Sequence, residues 1–280
     1  AAAEETMPLF RTSLAVDNKL TNAFDPVTAA DKAAERAMRR LIEAEFPDHG
    51  ILGEEYGNQG LDRDDVWVLD PIDGTRSFIA GIPLWGTLIG LRHQGRAAVG
   101  MMAQPFTGER FFGNGTSADY VGPGGRRPLR TRRCASLAEA TLFTTTPFLF
   151  KPEERPLYQA VEQQVRMARY GADCYAYCLL AAGQIDLVIE AGAHDELGTG
   201  FDGLGELVHG EHRASAHAHI GLGSLHSADE IDGAIRAERD LGGLHARGHK
   251  RVRERRGVLD LLQHHDRHDA ELLKLLVKRF

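Results

Sequence analysis

The sequence predicts an α/β protein built in two units, and three observations carry that reading. Residues 66–69 (VWVL) form a short, apolar, β-prone run that stops at an acidic, proline-containing turn. Residues 28–46 repeat apolar side chains at helical spacing, through Ala33, Ala37, Met38, Leu41 and Ile42. Beyond Thr131 the pattern runs strand, helix, helix, strand, the order of a second α/β layer.

Each element follows from its residues. Thr28 can cap the first long helix, and Pro47 ends it. Pro71 cannot continue a central ladder, so the strand over 66–69 is expected to stop there. Residues 84–91 and 96–103 read as further strands, and 107–113 as a turn into another. The string VGPGGRRP at 121–128 reads as loop. In the second unit, residues 140–146 read as a strand, 155–168 and 172–182 as helices, and 185–189 as a short strand ending at Glu190. The expected division is 1–130, a strand-rich lobe with one long helix, and 131–280, an α/β lobe.

The character of the chain changes near residue 193. Eleven of the 13 histidines lie in 193–280, and residues 193–257 hold 12 glycines against five Val or Ile. So little apolar surface predicts a disordered or altered tail, or a disrupted reading frame. Only 258–280 again reads as an amphipathic helix, and the basic run 250–256 as a solvated stretch.

Composition bounds the function. A chain of 280 residues, 42% hydrophobic and 26% charged, can bury a sizeable core. A net charge of −7 argues against a nucleic-acid partner. No apolar run is long enough to span a bilayer, so no membrane partner is expected. The opening AAAEETMPLF lacks the basic start and apolar centre of a signal peptide, and it begins without methionine, as a trimmed N-terminus would. A cytoplasmic location is expected. Cys134, Cys174 and Cys178 are too few for a disulfide framework and read as buried small hydrophobes.

The chemistry concentrates in residues 67–91, WVLDPIDGTRSFIAGIPLWGTLIGL. Asp70 and Asp73 flank a proline at a strand end, where open α/β sheets place their sites. Acids this close repel each other unless protons or cations intervene. Oxygen donors without a cysteine or histidine cluster favour Mg²⁺ or Mn²⁺. Alone, the D-x-x-D spacing would read as solvated acids at a turn. The longer string, D-P-I-D-G-T followed by F-x-x-G-x-P, resembles the signature of the inositol monophosphatase family, Mg²⁺-dependent phosphomonoesterases. DPVTAAD at 25–31, GEE at 53–55 and GADCYAYCLLAAGQIDLVIE at 171–190 extend the likeness over residues 17–192, in the family's order.

The resemblance implies a layered α/β sandwich (αβαβα) in two lobes, in a homodimer. It implies that Glu54, Asp70 and the carbonyl of Ile72 bind one Mg²⁺, and that Asp70 bridges to a second shared with Asp73. Glu54 and Thr75 would hold the attacking water, with Asp31 hydrogen-bonded to Thr75. Gly74 and Thr75 would offer N–H groups to the phosphate, close approach being open to a residue without Cβ. Physics supports these roles: a dianionic ester is repelled by bare carboxylates, and cations reverse that field.

Asp173 and Glu190 occupy positions that face the substrate in the family. Two acids suit the ammonium and imidazole of histidinol phosphate, the favoured substrate; the hydroxyls of inositol 1-phosphate are the alternative. Trp85 reads as core. One departure stands out. The family's last metal-binding aspartate, preceded by an aromatic, is absent: Leu197 stands at its place, with Asp195 two residues early as the substitute ligand. A metal- or phosphate-binding relative with impaired catalysis is the further alternative.

Overall fold

The computed structural model describes residues 1–13, 15–18, 26–114, 116–152, 154–191 and 218–222. The first half runs α1 (Ala2–Thr6), β1 (Val16–Asn18), β2 (Pro26–Thr28), α2 (Ala29–Glu45), β3 (Gly50–Gly53), β4 (Gly57–Gln59), β5 (Asp65–Asp73) and α3 (Thr75–Ile79). A meander follows: β6 (Gly86–His93), β7 (Arg96–Gln104), β8 (Glu109–Gly113), β9 (Ala118–Gly122) and β10 (Gly125–Pro128). The rest is β11 (Thr141–Thr144), α4 (Arg155–Glu162), β12 (Met167–Tyr170), α5 (Asp173–Ala181), β13 (Leu187–Ala191) and β14 (Ala218–Leu222).

Among the described residues, the strands form a large sheet in the order β10-β9-β8-β7-β6-β5-β3-β4, a smaller one in the order β12-β11-β13-β14, and the pair β1-β2. The large sheet is antiparallel except where β3 runs parallel to β5. In the small sheet, β11 lies parallel to both β12 and β13, joined by crossovers through α4 and α5.

Side-chain alternation along β5 sorts the layers. Leu69 packs with Met38 and Ile42 of α2 on one face. Val66 and Val68 pack with Cys174 and Cys178 of α5 on the other. The opposite side of α5, through Ala176 and Leu180, meets Ile185 and Val188 beside the small sheet. Leu142, Leu187 and Ile189 then bury Tyr158 of α4 beyond it. The stack is αβαβα. A helix pressed between two sheets needs apolar residues all round, and DCYAYCLLA supplies them after its first residue. All three cysteines are buried and free. No helix among the described residues is long and apolar enough to cross a membrane.

Three expectations need correction. Pro71 does not end its strand: β5 continues to Asp73 through an irregularity in its pairing with β6. The loop expected at 121–128 is the β9-β10 hairpin, whose outer strand is exposed at every residue. That outer strand shows no apolar alternation because it contributes no buried residue. The helix expected over 155–168 stops at Glu162, and Met167–Tyr170 forms an edge strand, so the order is strand, helix, strand, helix, strand. The expected helix over 258–280 and the rest of the histidine-rich tail lie outside the described residues, apart from β14.

An aromatic knot fixes the segment after β5. Phe10, Phe78 and Trp85 are buried, with ring centroids 4.9–5.4 Å apart. Phe78→Ala is expected to cost about 3–5 kcal/mol, as truncation of a buried aromatic does. Urea unfolding should show a lowered midpoint at an unchanged slope.

Candidate active site at the facing strand ends

Pairing along β5 explains why its two acids act together. Asp70 sits opposite Leu88 and Asp73 opposite Gly86, so three steps on β5 match two on β6. In a regular strand, residues three apart point to opposite faces. The extra residue turns them onto one face, as a β-bulge does. Pro71 lies in the bulge, where its missing N–H breaks no ladder, and its carbonyl accepts a hydrogen bond from Thr87 Oγ1 at 2.9 Å. Ile72 N donates to Asp70 Oδ1 at 3.1 Å.

Glu54 follows β3, which is parallel to β5, so the two strands deliver their acids to one edge. Its N–H donates to Leu69 O at 3.3 Å, and its carboxyl lies close enough to that of Asp70 to raise it. Burial, then the charges of Glu54 and Asp73, push Asp70 well above the usual carboxylate range. Asp73 is pushed up to about 6 by burial and by Asp173, tempered by the hydrogen bond from Cys174 N at 2.7 Å.

Asp31 sits at the third position of α2 in a capping box: Thr28 N and Oγ1 donate to its Oδ2 at 2.8 and 2.6 Å. Burial raises it despite those bonds, and it feels Glu54. The expected hydrogen bond between Asp31 and Thr75 is not formed. Asp31 is occupied by its cap, and Thr75 Oγ1 donates one turn back to Ile72 O at 3.0 Å. That carbonyl keeps a second lone pair. Gly74 precedes α3 at φ 81, a left-handed conformation suited to glycine. A Cβ there would lie 3.0 Å from Asp173 Oδ2.

The second lobe brings its own acids to the same place. Glu190, next to last in β13, accepts from Thr145 N at 2.6 Å and Thr145 Oγ1 at 3.0 Å. Burial pushes it up to about 7 against those bonds. Asp173 opens α5 at φ 44 and accepts from Ser77 at 3.2 Å and Thr145 Oγ1 at 3.4 Å. Burial raises it, while Ser77, Thr145 and Arg76 pull it down. The structure thus gathers Asp31, Glu54, Asp70, Asp73, Asp173 and Glu190 where the strand ends of two sheets face each other. Trp85 is core, as expected. Asp195 lies outside the described residues.

Sequence reasoning missed Ser77, Thr145 and Glu35. The signal for Glu35 was present: a charge on the apolar face of α2, among Ala30, Ala34 and Met38. Ser77 and Thr145 are small polar residues whose roles come only from the meeting of the lobes.

The donor set is hard oxygen throughout, which suits a hard divalent cation. Among the described residues no three side chains stand ready-made around one point. Glu54 and Asp73 nonetheless both act on Asp70 and raise it.

Known proteins sharpen this picture. Bifunctional phosphatase IMPL2, chloroplastic, from Arabidopsis thaliana is 44% identical over 195 residues, which cover 69% of this chain and 55% of that protein. A histidinol-phosphatase from Chlorobaculum parvum is 33% identical over 181 residues, 64% of this chain and 68% of its own. The solved structure of an inositol monophosphatase from Zymomonas mobilis matches with TM-score 0.67 at 35% identity, over 84% of this chain and 92% of that one. The family model for inositol monophosphatases matches residues 1–196, ending close to where the composition changes. By that match, over most of its length, the chain belongs to the inositol monophosphatase family.

Proposed function

We propose that the protein is a Mg²⁺-dependent phosphatase of small phosphate monoesters, with Mn²⁺ as a substitute. The convergence of Glu54, Asp70 and Asp73, brought about by the bulge in β5, carries this reading. These three acids and the Ile72 carbonyl would hold the cations. Bound there, Mg²⁺ would neutralise the cluster and acidify a water. Glu54 and the Thr75 hydroxyl orient the attacking water, and Gly74 and Thr75 N–H groups receive the phosphate. Asp31 acts on this site through the start of α2 rather than through Thr75.

Asp173 and Glu190 form the wall across from the phosphate. Their charges favour an organic cation in the alcohol part of the ester, as in histidinol phosphate, over the neutral ring of inositol 1-phosphate. The relative named histidinol-phosphatase supports that preference. Phosphate release from both esters, with titrated Mg²⁺, tests the proposal. Mg²⁺-dependent release that favours histidinol phosphate is expected, and none from either ester overturns it. Asp173→Asn should raise KM for histidinol phosphate about 10- to 100-fold, the loss of one charged hydrogen bond, and change inositol 1-phosphate turnover little.

The end of the family match at residue 196 favours a second reading, in which the last metal ligand is missing and catalysis is impaired. Cation uptake without turnover of any ester would select it. One uninterrupted coding frame, shared with close relatives, would remove the disrupted frame as its cause.

A further inference from the structure

Helix α2 buries two acids one turn apart. Asp31 caps the helix. Glu35, fully buried, reaches the turn that follows Glu54. Its Oε2 accepts from Glu55 N at 2.7 Å, and its Oε1 from Tyr56 N at 3.2 Å. Oε1 also accepts from Arg39 Nε at 2.8 Å, and the guanidinium of Arg39 goes on to donate to Gly57 O. Three consecutive backbone units just after Glu54 are therefore held by two side chains of one helix.

Gly53 belongs to the same device. A Cβ at this position would lie 2.1 Å from Glu35 Oε1 and 2.5 Å from an Arg39 nitrogen. The absence of a side chain there makes room for the carboxylate.

Stability alone does not account for this arrangement. A buried ion pair is commonly no more stabilising than apolar packing of similar volume. What the pair holds is an exposed turn: Tyr56 is exposed, and so is every residue of β4. Little core depends on it. The side chain just before the turn is Glu54, whose carboxyl lies close enough to Asp70 to raise it.

We propose that Glu35, braced by Arg39, is a positioning residue that aims Glu54 at Asp70 and so sets the affinity of the site for a divalent cation. This rests on the metal reading of the site given above. The full chain can be titrated with Mn²⁺, bound ion being read by electron paramagnetic resonance. Asp70→Asn serves as the control that subtracts uptake elsewhere.

Glu35→Gln keeps the volume and one acceptor but loses the charge and faces an N–H with its amide. Gly53→Ala displaces the carboxylate without altering any charge. Both are expected to weaken Mn²⁺ binding at least tenfold and to raise the Mg²⁺ concentration for half-maximal turnover in step. KM for the ester should move less than threefold, and far-ultraviolet dichroism should stay like that of the parent. A role in stability alone would lower the melting temperature and leave Mn²⁺ affinity unchanged; that result overturns the proposal. If one variant does not fold, the other decides. A parent chain that takes up no more Mn²⁺ than Asp70→Asn overturns the metal reading, and this inference with it.

Discussion

Asp70→Asn should fold and lose phosphatase activity at least ~10³-fold, because several kcal/mol of charge stabilisation leave with the cation and each 1.36 kcal/mol is a factor of ten. The substitution is nearly isosteric. An Asn oxygen can still accept from Ile72 N, as Asp70 Oδ1 does at 3.1 Å. What changes is the charge. Asp70 is buried beside Glu54 and Asp73, and burial and repulsion both oppose its ionisation. In the absence of cations the neutral amide therefore relieves the fold, so the melting temperature should hold or rise. Adding millimolar Mg²⁺ should stabilise the parent by mass action and the variant little. Phosphate-release kinetics together with melting curves check both halves. Near-parent turnover by the folded variant would refute the site.

The second large effect is on stability, and its sign is unusual. Without divalent cations, the protein should become less stable as pH rises from about 4 through about 7. Asp73 moves from 3.8 up to about 6, and Glu190 from 4.5 up to about 7, both through burial first. Each holds a proton in the folded state that the unfolded chain gives up. The stabilisation is complete below the unfolded values and lost as pH passes the folded ones. Every tenfold gain in proton affinity on folding is worth about 1.4 kcal/mol, so the two groups together contribute on the order of 5 kcal/mol. Asp70 adds to the same trend. Asp186 opposes it at lower pH: burial pushes it up, but Arg132 and Thr141 N more than offset that and hold it below the ordinary value. Its contribution is lost as pH falls below the carboxylate range. Melting temperatures in a chelator should drop by several degrees between about pH 5 and about pH 8. Millimolar Mg²⁺ should flatten the curve. A melting temperature that does not vary with pH in the chelator would refute the assignment of these acids.

Much of this was legible in the residues, and the exceptions have physical causes. Local chemistry was readable wherever it was local: the Thr28 cap, the helical spacing of α2, the apolar run into Asp70 and the helix at α5. Strands β10 and β12 escape such a reading because edge strands need no apolar face. Proline reads by its rule as a strand end, whereas a bulge gives it a place where no ladder bond is required. The acids stand out one by one in their motifs. Their pairings are harder, since Asp31 takes Thr28 rather than Thr75, and Ser77 joins Asp173 across 96 positions of chain. Those choices depend on which lobe surfaces meet, and no short stretch records that.

The extra residue in β5 makes this region depend on counting more than on chemistry. A pairing that ran regularly from Asp70 to Asp73 would yield a tidier ladder with every acidic side chain retained, yet Asp73 would then face the far side of the sheet. One more residue between the two acids, with the single bulge kept, would reverse the facing just as surely. Substitutions here can be graded by how much they hurt; a slip in register cannot, because parity admits no half measures.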